Sequence, residues 1–179
     1  MGRPGTTPVA IMDKDMLIRS GTSAALAAAV TLALSGAAFA DSKINVTLWD
    51  KGPDSAQPDT AHPLGMGSGG DMSMAMLGVK ADVASAPAGK VTFEVTNASK
   101  DIVHEMILSP APADGKLMPY MADMAKVDED GAGHLGEVSE LNPGQGGALT
   151  LDLKPGKYVL FCNIPMHFMN GMWTEITVN

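Results

Sequence analysis

The sequence predicts an all-β fold, an antiparallel sandwich or barrel of short strands with one short helix in a loop. Three observations carry that reading. Beyond residue 40 the apolar residues recur with period two rather than 3.6, the runs they form are short, and Gly, Pro, Asn and Asp separate one run from the next. Helix candidates are few, and many short strands without helices between them favour sandwiches and barrels over a parallel sheet.

The N-terminal segment stands apart from this rhythm. Ala24 to Leu34 is an apolar run of eleven residues, preceded by Arg19 and followed by Ser35, Gly36 and Ala38-Phe39-Ala40. A basic start, a short apolar centre and a small-x-small end describe a secretory signal peptide over residues 1–40. At about 1.5 Å per residue the run covers about half of a 30 Å hydrocarbon layer, too little for a spanning helix. Met12 or Met16 is a more usual signal start than Met1. Cleavage after Ala40 leaves residues 41–179 as one domain, periplasmic or secreted, in an oxidising compartment.

The elements then follow in order. Ile44, Val46 and Leu48 alternate as a half-buried strand. Residues 52–71, rich in Gly, Pro, Asp and Ser, read as a loop of low order, with Asp71 to Ala75 entering a strand whose one face carries Met72, Met74 and Met76. Val91, Phe93 and Val95 form a strand ending at the turn Asn97-Ala98-Ser99, and Ile102 to Leu108 forms the next. Pro110 to Lys126 is an excursion with a short helix near Tyr120 to Ala125, which places Met118, Met121 and Met124 on one side of it. Leu149, Leu151 and Leu153 alternate before Lys154-Pro155-Gly156, and Lys157 to Cys162 and Trp173 to Val178 complete the strands.

Composition narrows the functions. The 179 residues include 12 Lys and Arg, 20 Asp and Glu, four His, 14 Met and one Cys, a net charge of −8. Hydrophobic residues at 45% fill a core, and 18% charged is too low for a disordered polyelectrolyte. The acidic balance argues against a nucleic-acid binder. A single cysteine excludes an intrachain disulfide framework, an all-cysteine zinc site and an iron–sulfur cluster. In an oxidising compartment that thiol is buried and inert, paired between chains, or held by a metal.

The segment Tyr158-Val-Leu-Phe-Cys162-Asn-Ile-Pro-Met-His167-Phe-Met-Asn-Gly-Met172-Trp173 decides among these. Four residues separate Cys162 from His167 and four more separate His167 from Met172, so thiolate, imidazole and thioether emerge from one hairpin-like loop between two strands. Thiolate and thioether favour soft ions, a thioether suits zinc poorly, and two imidazoles with one cysteine and a weak axial methionine describe a trigonal copper site. The second imidazole is assigned to His104, which shares a strand face with Met106 and Leu108 and, if buried, needs a partner. His62 and His134 sit in Gly-rich polar surroundings and read as solvated.

With these residues in view, the chain from about Lys43 to Val178 resembles the cupredoxins, small blue type 1 copper proteins, and its loop spacing is similar to that of rusticyanin-like members. The stretch Pro155-Gly-Lys-Tyr-Val-Leu-Phe-Cys162 resembles the family's approach to the copper loop. The resemblance implies a Greek-key β-sandwich with one copper ion at one end, held by His104, Cys162, His167 and axial Met172, and one-electron transfer by Cu(II)/Cu(I) cycling. Met169 competes with Met172 for the axial place. Family members often carry Asn directly after the first histidine, tying the two ligand loops together, whereas this chain has Glu105.

The remaining residues set the competing expectations. Residues 41–179 carry nine Lys and Arg against 18 Asp and Glu, a net charge of −9 that keeps a secreted domain soluble and can steer a basic redox partner such as a c-type cytochrome or an oxidase. No stable membrane insertion and a monomeric state are expected. The same residues hold eleven methionines and seven aromatics, and core packing is the favoured use of Met72, Met74 and Met76. The alternative is capture of Cu(I) by Met-rich segments in a copper carrier or resistance protein. Met166, Phe168 and Met169 form an apolar rim around an exposed His167 edge through which electrons pass, and Trp173 rather than Phe161 walls the site. No catalytic arrangement is identifiable, and four histidines are too few for a multicopper oxidase.

Overall fold

In a computed structural model describing residues 41–179 apart from 58, 59 and 115, the period-two pattern becomes two packed sheets. The signal-peptide reading of residues 1–40 lies outside the described residues. In chain order the elements are β1 (Ser42–Asp50), β2 (Leu77–Ala81), β3 (Ser85–Ala86), β4 (Gly89–Asn97), β5 (His104–Pro110), β6 (Tyr120–Met121), β7 (Lys126–Val127), α1 (Glu129–Ala132), β8 (Gly136–Leu141), β9 (Gly146–Leu153), β10 (Gly156–Phe161) and β11 (Trp173–Val178). One sheet has the order β2-β1-β4-β9 and the other β3-β11-β10-β5-β8. Parallel pairing occurs in β1 with β4 and β11 with β3, and the other pairs in these sheets are antiparallel. The expected all-β sandwich is the observed fold.

Alternation is strictest in β4, where Val91, Phe93, Val95 and Asn97 are buried and Lys90, Glu94 and Thr96 face water. With Ile44, Leu48, Leu108, Leu160 and Ile176 these side chains form the core between the sheets. Each stabilises the sandwich by roughly 1.5–3 kcal/mol. In β10 alternation fails, and every residue from Tyr158 to Phe161 is buried. A second cluster of Ile107, Met118, Val127, Val159, Phe161 and Phe168 covers the other face of β5 and β10. These two strands are therefore sealed on both sides, and they are the ones that lead to the site.

Three expectations are corrected. Residues 120–125 form no helix: Tyr120 pairs with Val127 and Met121 with Lys126 in a small hairpin that turns through Ala125 at φ 55. The short helix lies later, at Glu129–Ala132, where the Asp128 carboxylate accepts the Gly131 N–H and Gly133 closes the end in the left-handed region. Without a helix the three methionines share no face, and Met118 is buried while Met124 is exposed. Likewise Asp71 does not enter a strand; its carboxylate accepts the Ser73 N–H and caps a 3-10 turn over Met72–Met74. Met72, Met74 and Met76 are then exposed rather than packed in the core.

The segment 52–71 holds a 3-10 turn at Pro53–Ala56 and is otherwise irregular, yet it is fastened. It crosses the loop between β10 and β11 as a strap, with the Leu64 N–H on the Met169 carbonyl at 2.7 Å, the Trp173 Nε1–H on the Leu64 carbonyl at 2.7 Å, and the Asn170 amide on the Gln57 carbonyl at 2.8 Å. Gly65 packs so closely that a Cβ there would sit 2.6 Å from the Met169 sulfur. A side chain at that position would displace the Met169 sulfur.

The turn before β5 is held by Asn97, which is buried and bonds at both ends. Its Nδ2 donates to the carbonyls of Ile102 (2.9 Å) and Leu141 (2.8 Å), and its Oδ1 accepts the Ser99 N–H (2.9 Å). Replacing Asn97 with Ala strands two carbonyls and one N–H. A loss of about 2–3 kcal/mol is expected from urea unfolding of the metal-free protein; a loss below about 0.5 kcal/mol would show that the turn holds itself.

Candidate metal centre

The site is built where three segments converge at one end of the sandwich. Strand β5 opens with His104, Cys162 directly follows β10, and the loop from 163 to 172 carries His167 and Met172 before β11 begins. Within that loop the His167 N–H bonds the Ile164 carbonyl (3.0 Å), the Met172 N–H bonds the His167 carbonyl (3.0 Å), and Gly171 turns at φ 98. The Cys162 N–H then bonds the Met172 carbonyl at 3.1 Å and closes the loop. Two four-residue spacings are what this winding consumes.

Three side chains meet there: His104, Cys162 and His167. His104 Nδ1 lies 3.3 Å from His167 Nδ1, which lies 3.3 Å from Cys162 Sγ, and the three donor atoms all fall within 4.8 Å of one another. Burial holds the Cys162 thiol up at about 12 and pushes both imidazoles below their ordinary value, His167 to about 4 with help from the neighbouring His104. The metal-free site is thus neutral, presenting lone pairs rather than charges. Two imidazole nitrogens and one ionisable sulfur match a soft, trigonal copper set.

Met172 and Met169 are separated by packing. Met172 is 0% exposed and belongs to the inter-sheet core with Cys162, whereas Met169 packs with the second cluster, its sulfur against Gly65. Of the other histidines, His134 is exposed with Glu137 at 3.8 Å, and His62 lies on the strap. Neither joins the cluster.

Two acidic residues organise the surroundings. Glu105 stands in place of the family's amide and still ties the ligand loops together: its N–H points to Cys162 Sγ at 3.5 Å and its Oε1 accepts the Asn163 N–H at 3.0 Å. Asn163 in turn bonds the backbone of Val127 and the Glu129 carboxylate. Burial pushes the Glu105 carboxyl up. The second residue, Asp50, was not singled out from sequence. Its Oδ2 lies 3.0 Å from His104 Nε2, and its Oδ1 accepts the Gly52 N–H at 2.8 Å. Burial pushes its carboxyl up, but the bonds from Ser99, His104 and Gly52 together hold it below the usual range. A sequence shows only an acidic residue ending a strand; the parallel pairing of β1 with β4, Leu48 beside Asn97, is what delivers it to this end.

Residues 66–179 match the family described as copper binding proteins, plastocyanin/azurin family. The chain belongs to this cupredoxin family. Its members transfer electrons and are not enzymes, and their cofactor is copper. No curated protein matches the sequence. Among solved structures, this cupredoxin is similar to dithionite-reduced auracyanin of Roseiflexus castenholzii, with 23% identity over 55% of this chain and 86% of that one and a TM-score of 0.42. Rusticyanin of Thiobacillus ferrooxidans is 18% identical over 78% of this chain and 79% of its own, TM-score 0.47. Auracyanin A of Chloroflexus aurantiacus is 17% identical over 78% and 100%, TM-score 0.46.

Two expectations about the rim are corrected in this cupredoxin. His167 is only 2% exposed and Phe168 is equally hidden, so no bare imidazole edge faces solvent on this side; the strap lies across the loop that carries them. Trp173 pairs directly with Phe161 across β10 and β11, so both point to the face opposite Cys162. Trp173 fastens the strap instead of walling the site.

Both imidazoles bind protons more weakly in the folded chain than in the unfolded one, so the unfolded state carries more protons between about pH 4 and pH 6.5 and stability rises with pH there. The metal-free protein should be most stable between about pH 7 and pH 8.5, lose about 3 kcal/mol through His167 as pH falls from 6.5 to 4, and lose stability again above about pH 9, where only the unfolded Cys162 thiol ionises. Replacing His167 with Gln should flatten that slope in pH-dependent urea unfolding; an unchanged slope would place the acid sensitivity elsewhere.

Proposed function

We propose that this protein carries single electrons outside the cytoplasm, in the periplasm or after secretion, with residues 1–40 as the removed signal and one copper ion held by His104, Cys162, His167 and Met172. The observation that carries this reading is the convergence of two imidazole nitrogens and one thiol sulfur within 4.8 Å in a buried site. Copper supplies a one-electron couple when bound. The chain does the rest. Cys162 gives up its proton on binding and contributes a thiolate. The Glu105 N–H directed at the sulfur and the closed loop hold the donors in place, so ligand movement between oxidation states is small. Burial excludes water and competing ligands.

The partner in this reading is a redox protein such as a c-type cytochrome or an oxidase. The net charge of −9 over residues 41–179 favours a basic contact surface on it. Contact at the site's end reaches the covered His167 through the strap, whose Leu64 is bonded to Met169. Among the described residues no helix is long and apolar enough to cross a membrane.

Addition of Cu(II) to metal-free protein should produce an intense blue thiolate-to-copper band that ascorbate bleaches, and Cys162→Ser should abolish the colour. A colourless, weakly absorbing complex in the wild type sinks the assignment.

One observation favours copper handling as a second role. Met72, Met74 and Met76 are 39%, 67% and 45% exposed, and Met74 and Met76 share with His62 the lining of a cavity of about 510 Å³. Thioethers and an imidazole in one place suit Cu(I). Competitive Cu(I) titration should find a second equivalent in the wild type that disappears when the three methionines become Ile. One equivalent in both proteins removes the carrier reading.

A further inference from the structure

We propose that Asp50 is a positioning residue for the metal centre: its buried carboxylate holds His104 with Nε2 protonated and Nδ1 turned to the copper, and its negative charge favours the oxidised ion. The inference rests on the copper reading above and deepens it.

The geometry goes beyond what a strand end needs. An aspartate that merely closed β1 would be satisfied by the Gly52 N–H two residues on, the short-range turn made by Oδ1. Oδ2 is used differently. It meets His104 Nε2 at 3.0 Å from 54 residues away, with the imidazole 0% and the carboxylate 3% exposed. A carboxylate only accepts, so the proton on this bond belongs to Nε2, and Nδ1 keeps its lone pair. That lone pair lies 3.3 Å from His167 Nδ1, on the side of the donor cluster. Fixing one nitrogen thereby fixes what the other can bind.

The carboxylate is itself held from two directions. Gly52 holds it on its own strand end, and the Ser99 side chain in the turn that precedes His104 favours its ionised form. The Ser99 oxygen meanwhile accepts the N–H groups of Asp101 and Ile102, the residues leading into β5. Carboxylate and imidazole therefore approach from separate sheets with little freedom to part. An anion bonded to a ligand imidazole raises its basicity and stabilises the higher charge of Cu(II) over Cu(I). In a site screened from water this effect is larger than at a surface.

Asp50→Asn keeps the volume and removes the charge. Its Cu(II) affinity should fall about 10- to 100-fold, with Cu(I) affinity falling less and the midpoint potential rising. A tenfold differential corresponds to about 59 mV for one electron. Asp152→Asn, an exposed neutralisation on β9 opposite Lys90 at the far end of β4, should leave the potential in place. In the metal-free wild type, nitrogen NMR should find His104 as the Nε2–H tautomer, and Asp50→Ala should mix the two tautomers.

An Asp50→Asn protein with an unaltered potential, even if its stability falls, overturns the proposal and leaves the copper reading intact. If Asp50→Asn does not fold, the Nδ1–H tautomer in the wild type overturns it equally. A wild type without the thiolate band removes the copper reading, and the charge effect with it, while the tautomer measurement still reports on the Asp50 bond.

Discussion

Holding two imidazoles and one thiol together out of water is the constraint around which this molecule is arranged. Within 4.8 Å of one another the three groups can be accommodated without charge, which burial enforces on all of them by lowering both histidines and raising the cysteine. A neutral cluster of lone-pair donors in a buried place is chemically suited to a soft cation. The surrounding elements hold these donors together. The closed loop between β10 and β11, the Glu105 bond to Asn163 and the Asn97 bonds across the turn before β5 all act on ligand-bearing segments.

The second cluster and the strap explain why such a site can sit at the end of a small sandwich. A sandwich end is ordinarily open to solvent because loops cover it poorly. Here Phe161, Phe168 and Val159 seal the outer face of the sheet that carries two of the ligands, and residues 52–71 close over the remaining loop through backbone bonds at Leu64 and Gln57. Those bonds use carbonyl and amide groups, so residue types along the strap are weakly constrained except where contact is close, as at Gly65. Water exclusion is the physical gain, since it strengthens charge interactions within the site, such as that between Asp50 and His104.

Much of this was legible in sequence where the controlling physics is local. Alternation in β1, β4 and β9 is a consequence of strand geometry and survived intact into the fold. The spacing from Cys162 to His167 to Met172 is also local, since a loop of fixed length can wind in few ways around one point. His104 was reachable because chemistry demanded a second imidazole and only one stood on an apolar strand face. By contrast, the helix expected at 120–125 failed because a three-residue recurrence of methionine does not outweigh the tight turn at Ala125 and the pairing of Tyr120 with Val127. The same methionine bias misplaced Met72, Met74 and Met76 in the core, where the Asp71 cap turns them outward.

By itself the sequence determined the sandwich and the chemical character of the candidate donors gathered at one end of it, because periodicity, loop length and ligand softness are properties of neighbouring residues. The tertiary structure alone decided the choice of environment for those donors. Only the parallel seating of β1 beside β4 brings Asp50 to His104, only the direct pairing of Phe161 with Trp173 turns both away from Cys162, and only the strap fastens across the loop that carries His167. Each depends on contacts between residues dozens of positions apart, for which no local pattern exists.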